Sequence, residues 1–392
     1  MVRGLRRLAV IILSLGVLAS MITIGQAQEA GDSRRVTSRA EAPEGAVFAM
    51  TNETDDNRII TYKRAANGAL TRVGSVSTRG HGIGTDLDTQ GGLVLSSDHR
   101  FLYAVNAGSD DVTVFSVDGT QLTFLQRAYA GDQPNSLTLH GDLLYVLNGS
   151  VAGNGIRGFR VASNGTLTPL PDSFRELSSP IAVPGQVEFS PDGRVLLVTH
   201  KTTNELLSPK DAIDAFRVRA DGSASLMPRR NASNGLRPFS LAFRKDGTLV
   251  VVEAFNAAPG RSAASSYRLS ARGRLKVIDG SVRNRETDTC WIVITPDGRS
   301  AFVANFGSGT ISSYKLNSEG KLRLIDGRAA FLGDMSQPVD LALSADGQYL
   351  YLLLRGTGGV AVFRVRGGSL RPLGTVTGGL PVADGASGLA AY

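Results

Sequence analysis

The stretch Val187-Glu-Phe-Ser-Pro-Asp-Gly-Arg-Val-Leu-Leu-Val-Thr-His200 is two strands joined by a tight turn. Val187 and Phe189, then Val195, Leu197 and Thr199, alternate as a strand with one chosen face requires. Leu196 and Val198 make the second strand apolar on its other side as well, so that strand is expected to be buried on both faces. In the turn, Pro191 presets φ, Asp192 can bond the backbone ahead of it, and Gly193 can take positive φ.

The phrase recurs along the chain, around Asp98, Asp142, Asp192, Asp246, Asp297 and Asp346, at spacings of 44, 50, 54, 51 and 49 residues. A period near 50 matches one four-stranded propeller blade. Each copy continues into a third strand, such as Val112–Phe115, Ile213–Phe216 or Val360–Phe363, and then a Gly-containing turn, such as Asp118-Gly119 or Asn164-Gly165, into a fourth. At the N-terminal side, Ala46–Met50 and Ile59–Tyr62 read as the second and third strands of a repeat that lacks its first. Leu389–Tyr392 reads as a first strand with nothing after it. The two ends are therefore expected to pair, closing an all-β, seven-bladed propeller over residues 45–392 and removing its open edges.

Arg3, Arg6 and Arg7, the apolar run Leu8–Ile24 and the small residues near Ala27 predict a cleaved signal peptide over residues 1–27, the alternative being an uncleaved membrane anchor. In either case the chain is expected to be exported, to the periplasm or outside the cell. Residues 28–44 are polar, without periodicity, and read as a disordered linker. Cys290 is the single cysteine, so no internal disulfide can form and no lipid-anchor cysteine stands near the cleavage point. Without the signal segment there are 39 basic and 35 acidic residues, a net charge of about +4, too mild and scattered for nucleic acid. No His/Cys/Asp spacing of a structural metal site is present and no cofactor is expected, although calcium held by groups from distant blades would leave no local spacing. A monomer without stable membrane insertion is expected.

The Ser-Pro-Asp-Gly repeats, strand phrases such as Phe302-Val-Ala-Asn305, and the start on a second strand resemble the propeller lactonase family, which includes 6-phosphogluconolactonase and 3-carboxymuconate cyclase and carries repeats of YVTN type. The resemblance covers Gly45–Tyr392. It implies a hydrolase opening, or a cyclase closing, a small carboxylated or sugar lactone in the central channel, with a His, an Arg and a Glu contributed by neighbouring blades. Gly185 stands at the family's His position and Phe239-Ser240 at its Arg-His, with Arg237 two residues earlier. Glu253 aligns with the Glu after a one-residue gap.

Lactone chemistry needs a group to move a proton and cationic or hydrogen-bonding groups to hold an oxyanion or carboxylate. Glu253, Arg237 and His200 are the expected catalytic set, with Gln186, Asn135, Ser240, Asp340 and His81 as substrate-binding candidates from the segments that lead into the innermost strands. Trp291 reads as packing and Cys290 has no base in view. The alternative is a non-catalytic propeller that binds protein or glycan through its rim, which the missing His favours.

Overall fold

The computed structural model describes residues 44–150, 153–201 and 211–392; the expected signal peptide and nearly all of the expected linker lie outside the described residues. Seven sheets form a ring, six of four strands and one of five. Blade 1 consists of Gly45–Met50, Arg58–Arg64 and Leu70–Ser77, with Leu389–Ala391 as its innermost strand. The innermost strands of blades 2 to 7 are Leu93–Leu95, Pro134–His140, Pro184–Phe189, Pro238–Phe243, Thr289–Ile294 and Pro338–Leu343. Among the described residues, no helix is long and apolar enough to cross a membrane.

The opening hairpin behaves as its sequence dictates. Gly193 has φ +69 and its N–H donates to Ser190 O at 2.8 Å, while the Ser190 hydroxyl donates to Asp192 Oδ1 at 2.6 Å. The second strand of blade 4, Val195–His200, is buried along its whole length. Leu196 and Val198 pack with Tyr145, Leu147 and Ile156 of blade 3, whereas Val195 and Leu197 pack with Leu241, Leu249 and Val251 of blade 5. Each such side chain contributes about 1.5–3 kcal/mol by burial. The ring is thus held by apolar sheet faces pressed together, and no disulfide is needed.

Closure occurs as expected: Val47, Phe48 and Ala49 pair antiparallel with Ala391, Ala390 and Leu389. Met50 N donates to Gly388 O and Tyr392 N to Ala46 O, each at 3.0 Å. The outer strands are less regular than the repeat suggests. In blade 3 the outer edge breaks into Leu167–Pro169 and Arg175–Glu176, and in blade 4 it is only Arg229–Ala232. These edges face away from the ring contacts, where packing constrains them least.

Candidate active site at the mouth of the channel

The channel has two ends: a mouth, where the innermost strands begin, and a hairpin end, where they turn into the second strands. At the mouth the residue just before an innermost strand repeatedly takes a left-handed conformation, as in Gln133, Arg237, Asp288 and Gln337, with φ between 47 and 56. In each of these cases its carbonyl accepts the N–H of the residue just past the second strand of the same blade, namely Gly149, Ala254, Phe306 and Arg355. In blade 4, Val183 O accepts Lys201 N in the same way. These five residues occupy equivalent places, and two of them, Lys201 and Arg355, are cations.

Their charges converge on carboxylates from other blades. Lys201 Nζ lies 2.6 Å from Asp88 Oδ2 and also donates to the Asp88 carbonyl; Arg237 Nη2 lies 3.6 Å from the same carboxylate oxygen. Arg355 Nη1 lies 2.5 Å from Asp86 Oδ2 and the same guanidinium bonds Gln337 Oε1. Burial pushes Asp288 up, against the opposing pull of the Arg237 guanidinium, and pushes Asp86 up against the pull of Arg355. Arg237 Nε is buried and bonded to nothing. Beneath the charges lies an aromatic floor: the Lys201 ammonium sits 4.4 Å over the Phe239 ring, Arg355 sits 4.8 Å over Phe306, and Trp291 packs between the two rings.

The segment Asp88–Gly91 crosses the channel under this mouth. Trp291 Nε1 donates to Thr89 O at 2.8 Å, and the Gln90 amide makes two bonds to the backbone of Ile292, accepting from its N–H at 2.9 Å and donating to its carbonyl at 3.1 Å. On the other side the Ser136 hydroxyl donates to Gln90 O, Leu137 N to Gly91 O, and the Thr89 hydroxyl to Asn135 O. Gln90 N also donates to Gly185 O of blade 4 at 3.4 Å, so one segment spans from blades 3 and 4 to blade 6. An innermost strand has no neighbour on its channel side, so its polar backbone groups must find partners elsewhere, and Gln90 supplies them for Ile292.

The residues singled out from sequence fall into different places. Arg237 is at the mouth. Glu253 is fully buried and turned away from the channel: it accepts bonds from Gly235 N at 2.9 Å, the Ser281 hydroxyl at 2.7 Å and the Ser265 hydroxyl. No ion pair joins it to Arg237 among the described residues. Its place is that of Asn106 and Asn305 in their blades, whose amides donate to third-strand hydroxyls, Thr113 and Ser312. His200, the equivalent residue of blade 4, is also fully buried, its Nε2 being 3.0 Å from Asp214 Oδ2. Burial works against the Asp214 charge, but bonds from His200 and Ser178 hold its carboxyl below the ordinary range.

Gln186 and Asp340 link neighbouring blades: Leu241 N donates to Gln186 Oε1 at 2.9 Å and Gly388 N to Asp340 Oδ2 at 2.7 Å. Ser240 and Asn135 are buried, with Ser240 Oγ and Asn135 Oδ1 unpartnered. His81 is exposed on the rim, its Nδ1 being 2.9 Å from Thr54 O. Trp291 is packing, as expected, and burial raises the Cys290 thiol well above its ordinary value, which disfavours the thiolate that a nucleophile needs. Sequence reasoning missed Arg355 and the crossing role of Gln90, and it passed over Lys201 in favour of its neighbour. Aligning the second-strand ends of all blades would have exposed two cations among the smaller Ala107, Gly149 and Ala254.

Among the described residues, no group of three or more His, Cys, Asp or Glu could hold a metal ion. No curated protein sequence matches the chain. Among solved structures it resembles a protein of Bacteroides fragilis provisionally named a 6-phosphogluconolactonase, at 20% identity and TM-score 0.69 over 89% of this chain and 98% of that one. It also resembles the periplasmic gluconolactonase of Pseudomonas aeruginosa, at 17% identity and TM-score 0.65 over 89% and 99%. A hypothetical selenium-binding protein of Sulfolobus tokodaii shares the architecture too, at 12% identity and TM-score 0.64 over 90% and 94%. At such identities the likeness is one of fold. The family model described as lactonase, 7-bladed beta-propeller matches residues 40–184 and 253–339, more than half of the sequence. Its coverage and the seven closed blades agree, and the chain belongs to that lactonase family.

Proposed function

We propose that the chain is an exported lactonase that opens a small carboxylated or sugar lactone at the charged mouth of its channel. The observation that carries the reading is the convergence of Lys201, Arg237 and Arg355 with Asp86, Asp88 and Asp288 on one aromatic floor. In this reading Asp288, made more basic by burial, takes a proton from water as the water oxygen bonds to the lactone carbonyl carbon. Arg237, with its free Nε, and Lys201 balance the charge that develops on the carbonyl oxygen. Collapse of the intermediate breaks the ring C–O bond, and the proton returns from Asp288 to the leaving oxygen, giving a hydroxy acid. Arg355 is placed to hold a carboxylate or phosphate on the substrate. Arg237 keeps the role given it from sequence, while proton transfer passes from Glu253 and His200 to Asp288.

Turnover of a lactone panel by the purified protein tests the reading. Asp288→Asn should lower kcat by about 10²–10⁴-fold and Arg237→Gln by about 10²–10³-fold. No turnover on any lactone would overturn the reading and leave the rim-binding scaffold. Export rests on the pattern of residues 1–27 and is supported by the periplasmic description of the Pseudomonas neighbour. N-terminal sequencing of exported material should find residues 1–27 absent; Met1 retained in a membrane fraction would make the segment an anchor.

A further inference from the structure

The crossing segment leaves a separate compartment on its far side, a cavity of about 890 Å³ that opens at the hairpin end beside Ser96–Asp98 and Gly141–Asp142. Its inner walls combine the apolar Leu93, Leu137, Leu341 and Leu389 of blades 2, 3, 7 and 1 with the polar Gln90, Thr138 and Gln186. Four carboxyl groups border it: Asp98 and Asp142 at the opening, paired with Arg100 and Arg160, and farther in Glu188 of blade 4 and Asp340 of blade 7. At the mouth Asp86 and Asp88 each have a cation beside them; among the described residues neither Glu188 nor Asp340 has an ion-pair partner. Glu188 receives the Gln186 amide at 3.2 Å and the Thr138 hydroxyl at 3.3 Å, and Asp340 receives only backbone N–H groups, from Gly388 at 2.7 Å and from Gly91. A carboxylate in an apolar enclosure without a counter-charge is costly, and burial pushes Glu188 up to about 7. A pocket with apolar walls and a few convergent polar groups has the form of a small-molecule site.

We propose that this compartment is a second binding site, reached from the hairpin face, for a small organic cation: a protonated amine whose charge meets Glu188 and whose apolar body lies among the leucines. A metal ion fits it poorly, because calcium takes 6–8 oxygen ligands and no third His, Cys, Asp or Glu is grouped with Glu188 and Asp340 to hold one among the described residues. The site is independent of the lactonase reading, since the Thr89–Gly91 backbone stands between the two compartments.

Calorimetric titration of the purified protein at pH 8 with hexylammonium, and in parallel with 1-hexanol, tests it. Saturable 1:1 binding of the amine is expected, at least tenfold tighter than any binding of the alcohol. Glu188→Gln should raise the amine Kd at least tenfold and leave lactone turnover unchanged. Equal binding of amine and alcohol, or no binding of the amine, overturns the proposal in the unaltered protein, whether or not the variant folds. An unchanged Kd in folded Glu188→Gln overturns it as well. Stoichiometric displacement of the amine by calcium would overturn the organic cation in favour of a metal.

Discussion

Replacing Glu253 separates a residue that holds a blade together from one that performs chemistry. Its carboxylate accepts three bonds, from Gly235 N, the Ser265 hydroxyl and the Ser281 hydroxyl, in a place without solvent access. Glu253→Ala deletes all three and strands a buried N–H and two hydroxyls. With about 1–3 kcal/mol for each orphaned group and some relief by hydroxyl rotation, the cost is about 3–5 kcal/mol. Glu253→Gln keeps one acceptor oxygen, and a serine hydroxyl can rotate to accept from the new amide, so its cost is about 1 kcal/mol. Urea unfolding measures both values, and lactone turnover of the folded Gln variant should stay within a few-fold of the parent. A general base contributes about 10²–10⁴-fold to rate. A hundredfold loss of kcat in a Glu253→Gln protein of parental stability would refute the structural role and return Glu253 to the reaction.

Two further outcomes follow from the ring and its channel. Deleting Gly388–Tyr392 removes the bonds of Met50 N, Tyr392 N and Gly388 N together with the Leu389 and Ala390 contacts, and should cost about 5 kcal/mol at about 1 kcal/mol per bond plus burial; an unchanged urea midpoint would count against closure. Burial pushes Glu188 up to about 7 from its ordinary 4.5. A folded pKa above the unfolded one means a stability contribution that is full below pH 4.5 and lost as pH rises through 7. Glu188→Gln should therefore flatten the decline in stability between pH 5 and pH 8 by at most about 2–3 kcal/mol; identical pH profiles for parent and variant would refute the shift.

The blades were readable because their signals are local. A Pro-Asp-Gly turn such as Pro191-Asp192-Gly193 and the apolar run after it lie within one short stretch, and repetition supplies the number of blades. The ring closure was readable from phase alone, since Leu389–Tyr392 had no successor and Ala46–Met50 no predecessor. The site was less legible for two physical reasons. Asp88, Lys201, Arg237, Asp288 and Arg355 come from five different blades, and no spacing records their meeting. Successive residues of a strand also face opposite ways. The residues chosen at the ends of second strands, His200 and Glu253, turn into their blades, whereas the residue one step further on, Lys201 in blade 4 and Arg355 in blade 7, reaches the mouth. A shift of one position at a strand end exchanges a group bonded inside its blade for one that reaches the mouth.

The bond between Gln90 and Ile292 joins residues 202 apart in the chain and blades that do not touch. It acts as a spoke across a wheel whose rim is made of neighbour-to-neighbour contacts. Rim contacts between neighbouring blades can form progressively as blades stack, but the spoke has no partner until the sixth blade stands opposite the second, and contacts of such long separation carry a large loop-closure cost. Asp88 lies at the root of that spoke and Trp291 at its tip, so the charged mouth is complete only when these two segments have met. A partly assembled ring would hold Lys201 and Arg237 without the carboxylate they share.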